Sequence, residues 1–93
     1  MIVGIMEVDF RIDRSFSLKE KRRLIRSLIE KTKNNFNASV AEVDNNDVLN
    51  MATIGVAVVS NSSKFVDAVF NKMLDFWEYG FDCEIIDVRR EVL

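Results

Sequence analysis

Basic side chains are concentrated in one stretch of this 93-residue chain. Residues 11–33 hold nine of the 13 lysines and arginines and three acidic residues, a net charge of +6, whereas the remaining residues carry −8. Clustered lysines and arginines neutralise phosphates and release their counterions. The local clustering, rather than the overall net charge of −2, therefore indicates a polyanion as the class of ligand to consider.

If this segment is helical, its spacing places most of the basic side chains on one side of the helix. At 100° per residue, five basic side chains fall within about one quadrant beside an apolar stripe, with Glu30 as the one acidic residue among them. The five are Lys19, Arg22, Arg23, Arg26 and Lys33. We predict that they bind RNA through its phosphates. Arg14, just ahead of the helix, is a sixth candidate contact, which the neighbouring Asp13 opposes.

Two other interpretations of the basic face stay open. Exposed helix surfaces often carry Lys and Arg because their aliphatic stems cover apolar surface, and a pI near 5.1 is low for a nucleic-acid-binding domain. The chain would then be a protein-interaction or self-associating module with no nucleic-acid role. An anion-dependent enzyme is the third alternative, but no candidate nucleophile has an evident partner base.

Several chemistries are excluded by missing residue types. The chain has no histidine, which removes His-based acid–base catalysis and His metal ligands. Its three glycines are too scattered for a phosphate-binding loop, and the lone Cys83 cannot form an internal disulfide. We therefore predict no catalytic residue, no cofactor and no metal site, and interpret Cys83 as an inert, partly buried thiol.

Hydrophobic periodicity predicts four strands. Residues 2–12 and 82–90 alternate apolar and polar side chains, as half-buried strands do. Residues 38–44 run into an Asp- and Asn-rich turn, and residues 52–60 are almost wholly apolar, as is typical of a central strand.

Two helices lie between these strands. Ser17-Leu18-Lys19-Glu20 has the form of a capping box and starts the first helix, which the asparagines at 34, 35 and 37 end. The run at 60–63 supplies the N-cap of a second helix that stops at Gly80. Its predicted core-facing arc consists of Phe65, Val66, Val69, Phe70, Met73, Phe76 and Trp77.

The order βαββαβ predicts an α+β fold, a ferredoxin-like two-layer sandwich formed by residues 1–93 as one domain. Two right-handed crossovers place both helices on one face of a four-stranded antiparallel sheet. The other face would carry an apolar patch of a kind that monomers seldom leave exposed, made of Val3, Ile5, Ala57, Val59 and Ile85. We expect a homodimer through this exposed sheet face or through an edge strand.

The same face also bears on how RNA could be bound. RNA recognition motifs stack bases on aromatic side chains of the first and third strands, whereas these strands expose no aromatic residue. Contact through base stacking is therefore not expected. No apolar run reaches the roughly 20 residues that cross a bilayer, and together with the lone cysteine this predicts a cytoplasmic protein with no membrane partner.

Four segments, in order and spacing, resemble the YlxP-like family over essentially the whole chain. They are residues 1–4, 17–22, 39–44 and 55–60, of which Ser-Leu-Lys-Glu-Lys-Arg at 17–22 is the most specific. The resemblance implies a ferredoxin-like bacterial cytoplasmic protein of unknown function, often encoded among genes for translation initiation and ribosome maturation. It brings no catalytic residue. With the basic face, it predicts a non-enzymatic accessory protein whose partner is ribosomal RNA or a ribosomal particle.

Overall fold

The computed structural model describes all 93 residues and has the predicted order of strands and helices. The elements are β1 (Ile2–Arg11), α1 (Leu18–Asn35), β2 (Ser39–Asp44), β3 (Met51–Ser60), α2 (Ser63–Gly80) and β4 (Glu84–Val92). The strands form one antiparallel sheet in the order β2-β3-β1-β4. This is the ferredoxin-like α+β fold, as the sequence predicted.

Each helix begins at a serine that accepts a backbone hydrogen bond. Ser17 Oγ accepts from the Glu20 backbone N–H at 3.1 Å, and the Glu20 carboxylate accepts from the Ser17 N–H at 2.9 Å. The predicted capping box is therefore confirmed. At the second helix, Ser62 Oγ accepts from the Phe65 N–H at 3.2 Å. These side chains satisfy donors that the first turn of a helix leaves without partners.

The core lies between the sheet and the two helices. Trp77 is fully buried and contacts Phe10 edge-to-face, with ring centroids 5.4 Å apart. Its indole N–H donates to Thr32 Oγ1 at 2.8 Å, and the same hydroxyl donates to the Leu28 carbonyl at 2.6 Å. A buried indole needs such an acceptor. The bond links α2 to α1 inside the core.

One predicted core residue of α2 lies outside the core. Phe65 is 56% exposed, although it falls on the same flank of the helix as the half-buried Phe76. Phe76 is covered edge-to-face by the rings of Phe36 and Phe81, whereas Phe65, about three turns earlier, has no aromatic neighbour. The helical wheel places both residues on one flank, but only tertiary contacts decide which is covered.

A bulge in the β1–β4 pairing corrects the prediction for Ile85. Asp9 pairs with Asp87 but Phe10 pairs with Ile85, so Ile86 is the extra residue on β4. Because Ile85 opposes the core residue Phe10, it packs against the core, and Ile86 is 40% exposed. Ile85 therefore does not belong to the uncovered sheet face.

Candidate nucleic-acid interface

The basic residues predicted on α1 are all exposed, and we call Lys19, Arg22, Arg23, Arg26 and Lys33 the basic row. The core side of the same helix consists of Lys21, Ile25, Leu28 and Thr32. At 1.5 Å per residue, the basic row extends over about 21 Å of the helix axis. The structure therefore brings these five side chains onto one surface, as the sequence predicted.

The basic row carries no ion pair. The exposed Arg11 and Arg89 and the partly exposed Arg90 each have a carboxylate partner within 3.3 Å. No acidic side chain lies within ion-pair distance of any member of the basic row. Lys31, on another side of α1, lies 5.7 Å from the centre of the Phe81 ring. The charges of the basic row are thus available to an external anion.

Arg14 lies apart from this surface. It lines an open cleft of about 640 Å³ between the end of β1 and the α2–β4 loop. The other lining residues are Arg11, Ile12, Asp13, Asn50, Phe81, Asp82, Cys83 and Glu84. Three of these are carboxylates, and one of them, Glu84, is paired with Arg11 at 3.3 Å. No member of the basic row lines the cleft, whose balance of charges does not favour an anion.

Cys83 also lines this cleft, and its thiol is unsuited to nucleophilic attack. Burial, with a smaller contribution from the charge of Asp82, raises the pKa of Cys83 to about 11. The thiol is therefore protonated near neutral pH, whereas the thiolate is the reactive form of cysteine.

The structure also shows a buried lysine with a structural role that the sequence interpretation missed. Lys21 is fully buried on the core side of α1 and reaches the loop between β2 and β3. Its ammonium donates to the carbonyl oxygens of Asn45 at 2.7 Å and Val48 at 2.6 Å, and more weakly to that of Asn46 at 3.4 Å. A buried charge is tolerated where hydrogen bonds and an opposite charge surround it.

The opposite charge is that of Glu42 on β2. Its Oε2 lies 3.4 Å from the Lys21 ammonium, within ion-pair distance but without the alignment of a hydrogen bond. The loop itself is tightly turned, with Asn45 in the left-handed region at φ 60°. The helical wheel contained the signal for Lys21, because it places this lysine between Leu28 and Thr32 in the buried stripe.

The sheet face turned away from the helices, here called the outer face, has an acidic half. Arg89 donates to Asp87 at 2.6 Å, to Asp9 at 3.0 and 3.2 Å and to Glu7 at 3.3 Å. Thr53 Oγ1 also donates to Asp9 at 2.7 Å. The bonds from Arg89 and then Thr53 hold the pKa of Asp9 below its ordinary value, and the same carboxylates raise the pKa of Arg89.

The other half of the outer face is apolar. Val3 pairs with Val59, and Ile5 with Ala57, along neighbouring strands. Val59 is 61% exposed and Ile5 38% exposed. No aromatic side chain lies on this face of β1 or β3, so the outer face has no ring on which a base could stack.

Two further observations describe the structure as a whole. No group of three acidic or cysteine side chains is arranged so that it could hold a metal ion. Neither helix is long and apolar enough to span a bilayer.

The fold and the order of its helices and strands place this chain among ferredoxin-like α+β proteins, and the family follows from its sequence. Residues 3–90 match the model of the family described as "Protein of unknown function (DUF503)", and the chain belongs to that family. It is similar to "Uncharacterized protein YlxP" of Bacillus subtilis (strain 168), with 29% identity over 75 residues, 81% of this chain and 82% of the relative. The resemblance to the YlxP-like family is thereby confirmed.

A solved structure with the same fold is the "De novo designed protein Ferredog-Diesel". The two structures have a TM-score of 0.51 at 11% sequence identity, and the match covers 96% of this chain and 83% of the designed one. At that identity the likeness concerns the fold alone.

Proposed function

We propose that this protein is a cytoplasmic, non-enzymatic accessory of translation or ribosome maturation, and that it contacts structured RNA through the basic row of α1. The observation that carries the proposal is the basic row itself: five exposed cations on one helix surface with no acidic partner, in a chain whose net charge is −2. Phosphate contacts by such cations supply most of the affinity of sequence-independent binding.

Structured RNA fits this surface better than a single strand. Recognition of single strands relies on bases stacked on aromatic side chains, and the basic row contains none. Base-paired RNA is recognised by its shape and through its phosphates, which the row could follow over about 21 Å. Weak sequence preference follows, because phosphate contacts position a protein without reading bases.

The remaining parts of the proposal have separate support. The ribosomal context rests on the family resemblance, since genes of such proteins often stand among those for translation initiation and ribosome maturation. A non-enzymatic role agrees with the absence of histidine and with a Cys83 thiol whose pKa is raised to about 11. Ribosomal RNA or a ribosomal particle is the partner we propose.

The decisive experiment compares two charge reversals of equal size. Arg22→Glu/Arg26→Glu alters the basic row, and Lys64→Glu/Lys72→Glu alters two exposed lysines of α2 that also lack ion pairs. Both variants have the same net charge. With a fluorescent fragment of structured ribosomal RNA at low salt, we expect the first variant to lose affinity about 100-fold and the second to stay within about 3-fold of the parent.

The reversal of Arg22, Arg23 and Arg26 together should also remove the protein from ribosomal particles in a sucrose gradient. Equal loss in the two double variants would mean that only net charge matters. If the parent does not bind structured RNA even at about 50 mM salt, the basic row is a solvated helix surface. The chain would then be a protein-interaction or self-associating module.

A further inference from the structure

One carboxylate interrupts the basic row. Glu30 is exposed on the same side of α1, about 6 Å along the helix axis from Arg26 and about 4.5 Å from Lys33. It takes part in none of the ion pairs of the structure. Arg26 precedes it by four residues, and this order favours pairing less than the reverse order does. Glu30 is thus unpaired among cations, at a position where its charge repels phosphates.

A free amide lies beyond this carboxylate. Asn34 is exposed one turn after Glu30, and its side chain makes no hydrogen bond within the chain. The neighbouring Asn35 differs, since its amide donates to the Lys31 carbonyl at 2.7 Å. Residues 33–38 line an open hollow of about 420 Å³, which leaves the Asn34 amide accessible. The second half of α1 therefore presents two uncharged or negative polar groups that have no partner in the protein.

Glu30 divides the basic row into two parts. Four of its cations precede Glu30, namely Lys19, Arg22, Arg23 and Arg26. The fifth, Lys33, follows it and lies about 10.5 Å along the helix axis from Arg26. Cations on both sides of a carboxylate suit phosphates of two strands with a groove between them. The group that Glu30 meets in this groove has to be a hydrogen-bond donor, because a carboxylate only accepts.

We propose that Glu30 and Asn34 bind the 2′-hydroxyl groups in the minor groove of duplex RNA and thereby select RNA over DNA. This inference rests on the proposed function of the basic row. The minor groove of an RNA duplex is wide and shallow, and it displays 2′-hydroxyls and base edges between the phosphates. A 2′-hydroxyl donates to the Glu30 carboxylate, and the Asn34 amide can both donate to and accept from a second one.

The cations of the row do not supply this selection. Lysine and arginine only donate hydrogen bonds, and the phosphates they bind occur in RNA and DNA alike. The 2′-hydroxyl is the group by which a protein distinguishes the two nucleic acids. A hydrogen bond to a carboxylate is about twice as strong as one between neutral groups, so Glu30 should contribute more to the selection than Asn34.

Fluorescence polarisation with two duplexes of one sequence, at about 50 mM salt, tests the inference. One duplex is RNA. The other carries 2′-fluoro groups, which keep the phosphates and the A-form but remove the hydroxyl donors. We expect the parent to bind the RNA duplex at least about 10-fold more tightly than the 2′-fluoro duplex, and Glu30→Ala to lower this ratio to below about 3-fold. Asn34→Ala should lower the ratio by a smaller factor.

Glu78→Ala is the matched control for Glu30→Ala. Glu78 is exposed on α2 and takes part in no ion pair, so the two variants have the same net charge. The ratio of affinities in Glu78→Ala should equal that of the parent. Alanine is the most favourable residue in a helix, so both variants should stay folded.

The outcomes separate this inference from the proposed function. A parent that binds both duplexes equally would overturn the inference and leave the proposed function standing, whereas a parent that binds neither would overturn both. If Glu30→Ala raised both affinities by the same factor, Glu30 would only repel phosphates. Equal weakening on the two duplexes would place the contact of Glu30 on a base amino group. Either result would overturn the binding of 2′-hydroxyls.

Discussion

Lys21 of α1 and Val48 of the β2–β3 loop are joined by a hydrogen bond of 2.6 Å from the buried ammonium to the backbone carbonyl oxygen. The same ammonium also binds the carbonyl of Asn45 and faces the carboxylate of Glu42. The ammonium group of Lys21 thus lies within the β2–β3 loop and holds this loop against α1, the helix that carries the basic row. Lys19 and Arg22, which are two positions before and one position after Lys21, are exposed, so basic residues close together on one helix have opposite roles.

Lys21→Met should therefore destabilise the fold strongly. The substitution keeps an apolar stem but leaves Glu42 without its counter-ion and the loop carbonyls without their donor, for which we expect about 3–5 kcal/mol. Lys19→Met removes the same charge from an exposed position and should change stability by less than about 0.5 kcal/mol. Urea denaturation of the two variants provides the measurement. Equal stability would show that the buried ammonium is dispensable.

The bond between Trp77 and Thr32 should couple the two helices energetically. Thr32→Val leaves the buried indole N–H without an acceptor and should cost about 1–3 kcal/mol. Trp77→Phe removes the donor but also opens space in the core. A double-mutant cycle separates the two effects, and we expect the double variant to be more stable than the sum of the single losses predicts. Strict additivity would mean that the hydrogen bond contributes nothing.

The ion pair of Asp9 and Arg89 should make stability depend on pH in the acid range. The pKa of Asp9 is lower in the folded chain than its ordinary value of 3.8, so the unfolded chain binds more protons there. The stabilisation is complete above the ordinary value and is lost as the pH falls through the lower, folded value. The difference in stability between the parent and Asp9→Asn should hence be constant from neutral pH to about pH 5 and shrink below about pH 4.

Thermal unfolding at several pH values checks this expectation. Asp75→Asn is a suitable control, because Asp75 is exposed on α2 and takes part in no ion pair. The difference in stability between the parent and Asp75→Asn should not change with pH in the way expected for Asp9→Asn. A gap between parent and Asp9→Asn that widened on acidification would contradict the assignment of Asp9 as the ionised partner of Arg89.

Local signals explain why the fold was predictable from the sequence. The capping box at Ser17 and Glu20 depends on residues three positions apart, and the alternation along β1 needs no knowledge of its partners. The basic row depends equally on local helical geometry. These features are fixed within one element, so periodicity and capping rules suffice to place them.

Contacts between distant segments explain the remaining differences. Ile85 is placed by a bulge in its pairing with β1, more than seventy residues earlier, and a period-two pattern contains no record of that shift. The hydrogen-bond partners of Lys21 lie 24 to 27 residues further along the chain. Phe65 lacks the cover that Phe76 receives from Phe36, the residue just after α1, and from Phe81 in the α2–β4 loop. Each case depends on contacts between helices, strands and loops that are far apart in the sequence. Such contacts cannot be deduced from the residue pattern within one element.

RNA binding by the basic row should be strongly dependent on salt. With about four phosphate contacts, the observed association constant should fall about 50- to 150-fold between about 50 and about 200 mM salt. Arg26→Gln removes one contact and should reduce the magnitude of the negative slope of log K against log salt by about 0.7–0.9, whereas Lys72→Gln on α2 should leave the slope unchanged. Fluorescence polarisation at several salt concentrations gives the slope for the parent and for each variant. The measurement uses duplex RNA and unstructured RNA of equal length. An affinity insensitive to salt, or the same slope in Arg26→Gln as in the parent, would mean that contacts other than those of the basic row hold the RNA.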